Sequence, residues 1–359
     1  MTLSYRAGLV LSIASLLSSA VAQVQVEPAS PTKPADHGIV LDVVVTDGSG
    51  KAIPGLEEKD FTVLDNGHEQ KILAFHARGG ESPSQPSQAA EPPVKIILLV
   101  DEVNSDFRRV AYERDQIKAF LLKNGGVLKH PMSMAFFSDK GIEVQQGSST
   151  DGNALLAVFD QHETALRTIR RSAGFYGAVD RFQLSLTALS SLAQAETKQP
   201  GRKLVVWLSA GWPMLSGPGI NLTAKDEANI FASIVSTSTA LREARITLYS
   251  VDPEGAGAAA GSQDFYYRSF LKPVTAAKKA QFGNLALQVI ATQSGGLATT
   301  ASNDITSQIT RCVDEANAYY TLVVDQAPAD APNSYHALTV KVAKPGLTPR
   351  TRDGYYVQP

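Results

Sequence analysis

The sequence predicts an α/β protein: a doubly wound, mostly parallel, Rossmann-like sheet inserted in a small β-sandwich formed by the N- and C-terminal segments. Three observations predict it. Apolar runs at 94–100 (VKIILLV), 132–137 (MSMAFF), Lys203–Leu208 and Ile246–Val251 carry almost no polar alternation, as parallel strands covered on both faces require. Segments of helical character separate them, at 110–123, 154–171, 182–195, Ala224–Glu243 and 282–293. Both chain ends are rich in β-branched and aromatic residues and are punctuated by Gly, Pro and Asn, which is the grammar of antiparallel strands.

Taken in order, residues 1–22 read as a secretory signal peptide. Arg6 gives a short positive region, 7–19 an apolar one, and Ala20-Val21-Ala22 a small-residue cleavage site. Residues 23–37 form a linker. Residues 38–78 give the first part of the sandwich, with strands at 39–46 and 61–64 and turns at Asp47-Gly48-Ser49-Gly50 and Asp65-Asn66-Gly67. A Pro/Ser-rich linker covers 79–93. The α/β body spans 94–318, and residues 319–359 complete the sandwich with strands at 319–324, Tyr335–Val342 and 355–357. Three strands alone would leave one face exposed, so the two ends pair.

Composition narrows the function. With 33 Lys+Arg against 35 Asp+Glu, the net charge of −2 gives no electrostatic reason to bind nucleic acid or anionic lipid. The 43% hydrophobic and 19% charged content supports real cores and excludes global disorder. A single cysteine, Cys312, excludes an internal disulfide, and six dispersed histidines exclude a Cys/His zinc centre. Cys312 shares a helical face with Ile305, Ile309 and Ala316 and is read as a core thiol.

Hydrolase and nucleotide-binding signatures fail one by one. Ser269-Phe270-Leu271-Lys272 has the Ser-x-x-Lys spacing without its companion motifs, and the glycine-rich stretch at 255–261 misses the dinucleotide fingerprint by one position. His162-Glu163 with Arg167, Arg170 and Arg171 reads as a solvated helix face. Trp207 lies within a strand and reads as core. Trp212, between the Ser209-Ala210-Gly211 turn and Pro213, is either a binding anchor or packing over the sheet edge.

Four segments, VVVTDGSGKAIPGLEEKDFTVLDNGHEQKILAF (43–75), ILLVDEVNS (97–105), PGRKLVVWLSAGWP (200–213) and YYTLVVDQAP with VKVAKPGLTPRTRDGYYV (319–328, 340–357), resemble the von Willebrand factor type A (vWA) superfamily. More specifically they resemble its acidobacterial family of exported vWA-related proteins. The resemblance implies a metal-ion-dependent adhesion site: Asp-x-Ser-x-Ser in one strand-to-helix loop, with a Thr and an Asp from two others, around Mg²⁺. Here the first loop reads Asp101-Glu102-Val103-Asn104-Ser105, so Val103 brings no oxygen where the middle serine would. The second segment, GFYGAVDRFQ (174–183), read as the loop before a helix, has no threonine, and Ser209 stands where the Asp would.

The expectation is therefore an exported, periplasmic or extracellular protein without catalytic residues. It would bind a protein or a cell-envelope macromolecule through loops at the carboxyl ends of its parallel strands, using Asp101, Asn104, Ser105, Ser209 and Trp212. No cofactor, no nucleic acid and no stable membrane insertion are expected. One alternative is a magnesium-dependent adhesion module rebuilt around Asp101, Ser105 and Ser209 with Asn104. A second is an envelope hydrolase working from 211–261.

Overall fold

In the computed structural model, the described residues are 38–79, 92–105, 110–162, 174–216, 220–253, 266–300, 302–328 and 331–357. The signal peptide, the 23–37 linker, nearly all of the 79–93 linker, the Arg167 to Arg171 cluster and the 255–261 glycine stretch lie outside them. Ala35–Pro359 forms one compact unit.

The sandwich comes first and last in the chain. Strand β1 (Gly38–Thr46) pairs antiparallel with β11 (Tyr319–Asp325), which pairs with β4 (Ile72–Arg78); β13 (Thr348–Arg350) closes the other edge. The facing sheet runs β14 (Gly354–Tyr356), β12 (Tyr335–Val342), β2 (Phe61–Asp65), β3 (His68–Gln70). Ile39, Leu41, Val43 and Val45 alternate inward from β1 and meet Tyr320, Leu322, Val63 and Val340. Asn66 and Gly67 take positive φ of 49° and 85°, so the β2–β3 hairpin uses the turn its sequence announced. The first and last segments of the sandwich are thus one structure, interrupted by the α/β body.

That body holds a six-stranded sheet in the order β10 (Ile246–Val251), β9 (Lys203–Leu208), β5 (Lys95–Asp101), β6 (Val127–Ser138), β7 (Gly141–Val144), with β8 (Ser149–Asp151) also on β6. The first four are parallel; β7 and β8 run antiparallel. Alternate residues serve opposite faces. Ile97, Leu99, Val205, Trp207 and Leu248 meet α3 (Gly174–Thr197) and α4 (Ala224–Glu243). Ile96, Leu98, Val206 and Tyr249 meet α1 (Val110–Leu121), α2 (Gly152–Gln161) and α6 (Ile305–Asp314). A sheet buried on both sides gives the unbroken apolar runs read from the sequence.

Helix α5 (Leu287–Gln293) follows a 3₁₀ turn at Phe282–Leu285, and a short parallel bridge from Ala298 to Ser250 extends the sheet beyond β10. One expectation needs correcting: 174–183 is nearly the first three turns of α3 and not a loop. No described helix is long and apolar enough to cross a membrane.

The sandwich sits at the amino ends of the parallel strands. Asp42 on β1 accepts from Arg245 Nη2 at 2.5 Å and Nε at 3.2 Å, and from the Thr321 hydroxyl at 3.0 Å. Glu315 accepts from the Tyr249 hydroxyl at 2.5 Å and from Arg350. The Arg202 guanidinium lies 4.6 Å over the Tyr319 ring. The opposite rim, at the carboxyl ends, is left for the loops.

Candidate functional site

Asp101 ends β5 and is 1% exposed. Its carboxylate is surrounded by donors from its own chain. Oδ1 accepts from the backbone N–H of Val103 at 2.9 Å and of Asn104 at 2.8 Å, folding the loop back over the strand end. Oδ2 accepts from Asn104 Nδ2 at 2.9 Å and from the indole N–H of Trp207 at 3.0 Å. A carboxylate offers about four lone-pair positions, and four donors fill them.

The rest of the first loop closes around this centre. Asn104 Nδ2 also donates to Ser185 Oγ at 3.0 Å, tying the loop to α3, while the Ser105 hydroxyl donates to the Asp101 carbonyl at 2.5 Å. Asn104 and Ser105 are each 2% exposed. Ser209 is fully buried after β9, and its Oγ accepts from the Gly211 N–H at 3.2 Å. Gly211 holds φ of 100°, and a Cβ there would strike Gln288. The turn needs its glycine.

Trp207 is held on both sides. Phe137 meets it edge-on at 5.7 Å and Trp212 at 5.2 Å. Trp212 is 4% exposed and belongs to the core on the α3–α4 side of the sheet, with its indole N–H buried and meeting no acceptor among the described residues. The structure therefore brings Asp101, Asn104 and Ser105 into one network, places Ser209 in the adjacent turn, and seats Trp212 behind Trp207 with almost no surface of its own.

The residues do not fit the magnesium centre that the resemblance implies. An octahedral ion needs open oxygen positions at about 2.0–2.1 Å, whereas the Asp101 oxygens already accept four N–H groups, two of them from side chains that would have to leave. Val103 is 3% exposed and packs in the core. Among the described residues no three His, Cys, Asp or Glu side chains converge as metal ligands.

Two features escaped sequence reasoning. Trp207 was read as core only, yet its N–H is part of the network; the pairing of Leu99 with Trp207 puts Asp101, two residues along β5, on the same face of the sheet. The His162 ring stacks on Phe136 at 3.6 Å and lies 3.1 Å from Glu102 Oε1, off the hydrogen-bond direction, beside the first loop. Ser269 sits in a 3₁₀ turn and donates to the Tyr266 carbonyl at 2.8 Å. Cys312 is fully buried, and burial pushes its thiol far above the usual range, which leaves it inert.

No protein-family model and no curated protein matches the chain. Among solved structures it is similar to the human COPII-coat protein Sec24c, at 10% identity and a TM-score of 0.33 over 75% of this chain and 44% of that one. It is also similar to the pilus adhesin SpaC from Lactobacillus rhamnosus GG, at 10% identity and a TM-score of 0.36 over 84% and 49%. The chain thus spans about half the length of the structures it matches. At those scores they place neither a site nor a function in it.

Proposed function

We propose that this chain is an exported, non-catalytic vWA-related protein of the acidobacterial family. It binds another protein, or a protein-bearing envelope structure, through the carboxyl rim of its parallel sheet. In this reading the 94–318 body is the binding module, the sandwich of 38–78 and 319–359 carries it, and the signal peptide directs it to the periplasm or beyond.

One observation carries the reading. Helix α3 runs antiparallel to the strands, with Glu196 near its end bound to Lys95 at the start of β5, and Ser185 at the rim against Asn104. From Ser185 back to Phe175 the helix runs on for about 15 Å, at 1.5 Å per residue, with Gly177, Arg181 and Phe182 buried along the way. Its tip presents Phe175 and Tyr176, 56% and 81% exposed, edge to face at 6.2 Å. Exposed aromatics on a helix anchored by a buried polar network are rigid anchors for a partner surface, and they lose little entropy on docking. The Asp101 network supports the reading as that anchor.

A photo-crosslinking amino acid at Tyr176 in the native exported chain tests this. We expect a discrete protein adduct at position 176 that is lost when Phe175 is changed to serine, and none from Leu73 on the sandwich, which is 41% exposed. Equal adducts from both positions, or none from 176, would remove the docking role of the rim.

A further inference from the structure

At the junction between sandwich and α/β body, Arg245 pairs with Asp42 and Arg242 with Glu243, while a third guanidinium, that of Arg352, has no such pair among the described residues. A small cavity there is lined by Asp42, Arg242, Arg245, Ser294, Thr351 and Arg352. Three guanidiniums face one carboxylate, and Asp42 is already engaged by Arg245 and Thr321. Arg352 is 8% exposed, and its guanidinium makes no hydrogen bond or ion pair among the described residues. Burial, with Arg242 adding to it and the charge of Asp42 only partly offsetting it, pulls Arg352 down to about 10, which leaves it cationic at neutral pH. Its sequence neighbour Asp353 acts on Tyr335 and is not among the charges that act on Arg352.

Arg242 is little better served. Its Nη2 lies 3.6 Å from Glu243, a half-exposed carboxylate, and its Nε is buried without an acceptor among the described residues. The Thr351 hydroxyl is likewise buried and unpartnered. A buried guanidinium with no ion pair of its own, beside a buried guanidinium Nε and a buried hydroxyl that lack partners among the described residues, is an unfavourable arrangement unless a ligand completes it. Donors from Arg352, Arg242 and Thr351 lie around the same small space.

We propose that this space is an anion site that takes a monatomic anion of chloride's size. The cavity is narrow and shares Ser294 and Arg352 with an adjoining one. The few donors that converge on it, from Arg352, the Arg242 Nε and the Thr351 hydroxyl, suit a monatomic anion, whereas a tetrahedral oxyanion would bring four oxygens to satisfy. The anion supplies the missing counter-charge between β1, the end of α4 and the segment after β13, and so fastens the sandwich to the α/β body. This site is remote from the carboxyl rim and independent of what docks there.

The test is thermal melting of the full exported chain at fixed ionic strength in sodium chloride against sodium gluconate, with bromide anomalous diffraction from crystals. A ligand held only by the folded state raises Tm with concentration. We expect chloride and bromide to raise Tm by several degrees with saturation, and a bromide peak in contact with Arg352 and Arg242. The shift should vanish in Arg352→Met. If that variant does not fold, Arg242→Met, at a partly exposed helix position, should abolish the same shift. Identical melting in the two salts, a halide shift that survives the substitution, or a map without the peak would overturn the site. Stabilisation by sulfate or phosphate but not by chloride would overturn the assignment of a monatomic ion.

Discussion

Asp101→Ala is expected to destabilise the α/β body by about 2–6 kcal/mol, because at least two buried donors lose their acceptor at about 1–3 kcal/mol each. The Trp207 indole N–H and the Val103 and Asn104 backbone N–H groups all point at a carboxylate that is 1% exposed, in a place where water cannot replace it without repacking. Chemical denaturation of wild type, Asp101→Ala, Trp207→Phe and the double variant gives the coupling directly. The double variant should lose less than the sum of the singles, since each single already breaks the shared bond. Additive losses would mean that the indole and the carboxylate do not depend on one another. In a metal-ligating role the same substitution would relieve repulsion in the metal-free protein and leave stability unchanged or higher.

Asp42→Ala is expected to cost about 3–5 kcal/mol through the junction, the usual penalty for removing one partner of a buried ion pair. Burial alone would raise the Asp42 carboxyl, but the charge of Arg245 and the two hydrogen bonds from its guanidinium outweigh it, and the carboxyl ends below its ordinary value of 3.8. The sign follows from that direction. A folded-state carboxyl lower than the unfolded one adds stability that is complete above the unfolded value and is lost as pH falls through the folded value. The difference in unfolding free energy between wild type and Asp42→Ala should therefore be constant near neutrality and shrink as pH drops below 3.8. A difference that grew towards acid pH would contradict the assignment.

Much of the fold was legible because the code for it is local. The strands Lys203–Leu208 and Ile246–Val251 and the helix Ala224–Glu243 have the bounds their patterns suggest, since a segment buried on both faces, or capped by Thr223 with Asp226, announces its own ends. Strands β7 and β8 escaped notice because GIEV and STD are short, half-exposed and defined only by pairing with β6. The start of α3 was misplaced because Gly174 and Gly177 read as loop residues, whereas Gly177 is buried within the helix.

The site was legible in part for the same reason. Asp101, Asn104 and Ser105 lie within one loop and could be named from it. The bond from Trp207 depends on strand register across 106 residues, and the contact from Ser185 on a helix 81 residues away; neither separation leaves a mark in the local sequence. The junction of Asp42 with Arg245 spans 203 residues and was invisible as well. Charges that look like an ordinary solvated surface in the chain become a buried network only when the sandwich closes.

At the carboxyl rim Asp101 acts as an acceptor for its own chain, with both carboxylate oxygens engaged by N–H donors, and the proposed docking role rests on that arrangement. Isothermal titration of the metal-stripped protein with Mg²⁺ and with Mn²⁺ tests it most directly. Saturated acceptors predict no saturable heat with either ion and no change in Tm. Micromolar uptake that disappears in Asp101→Ala would contradict the account.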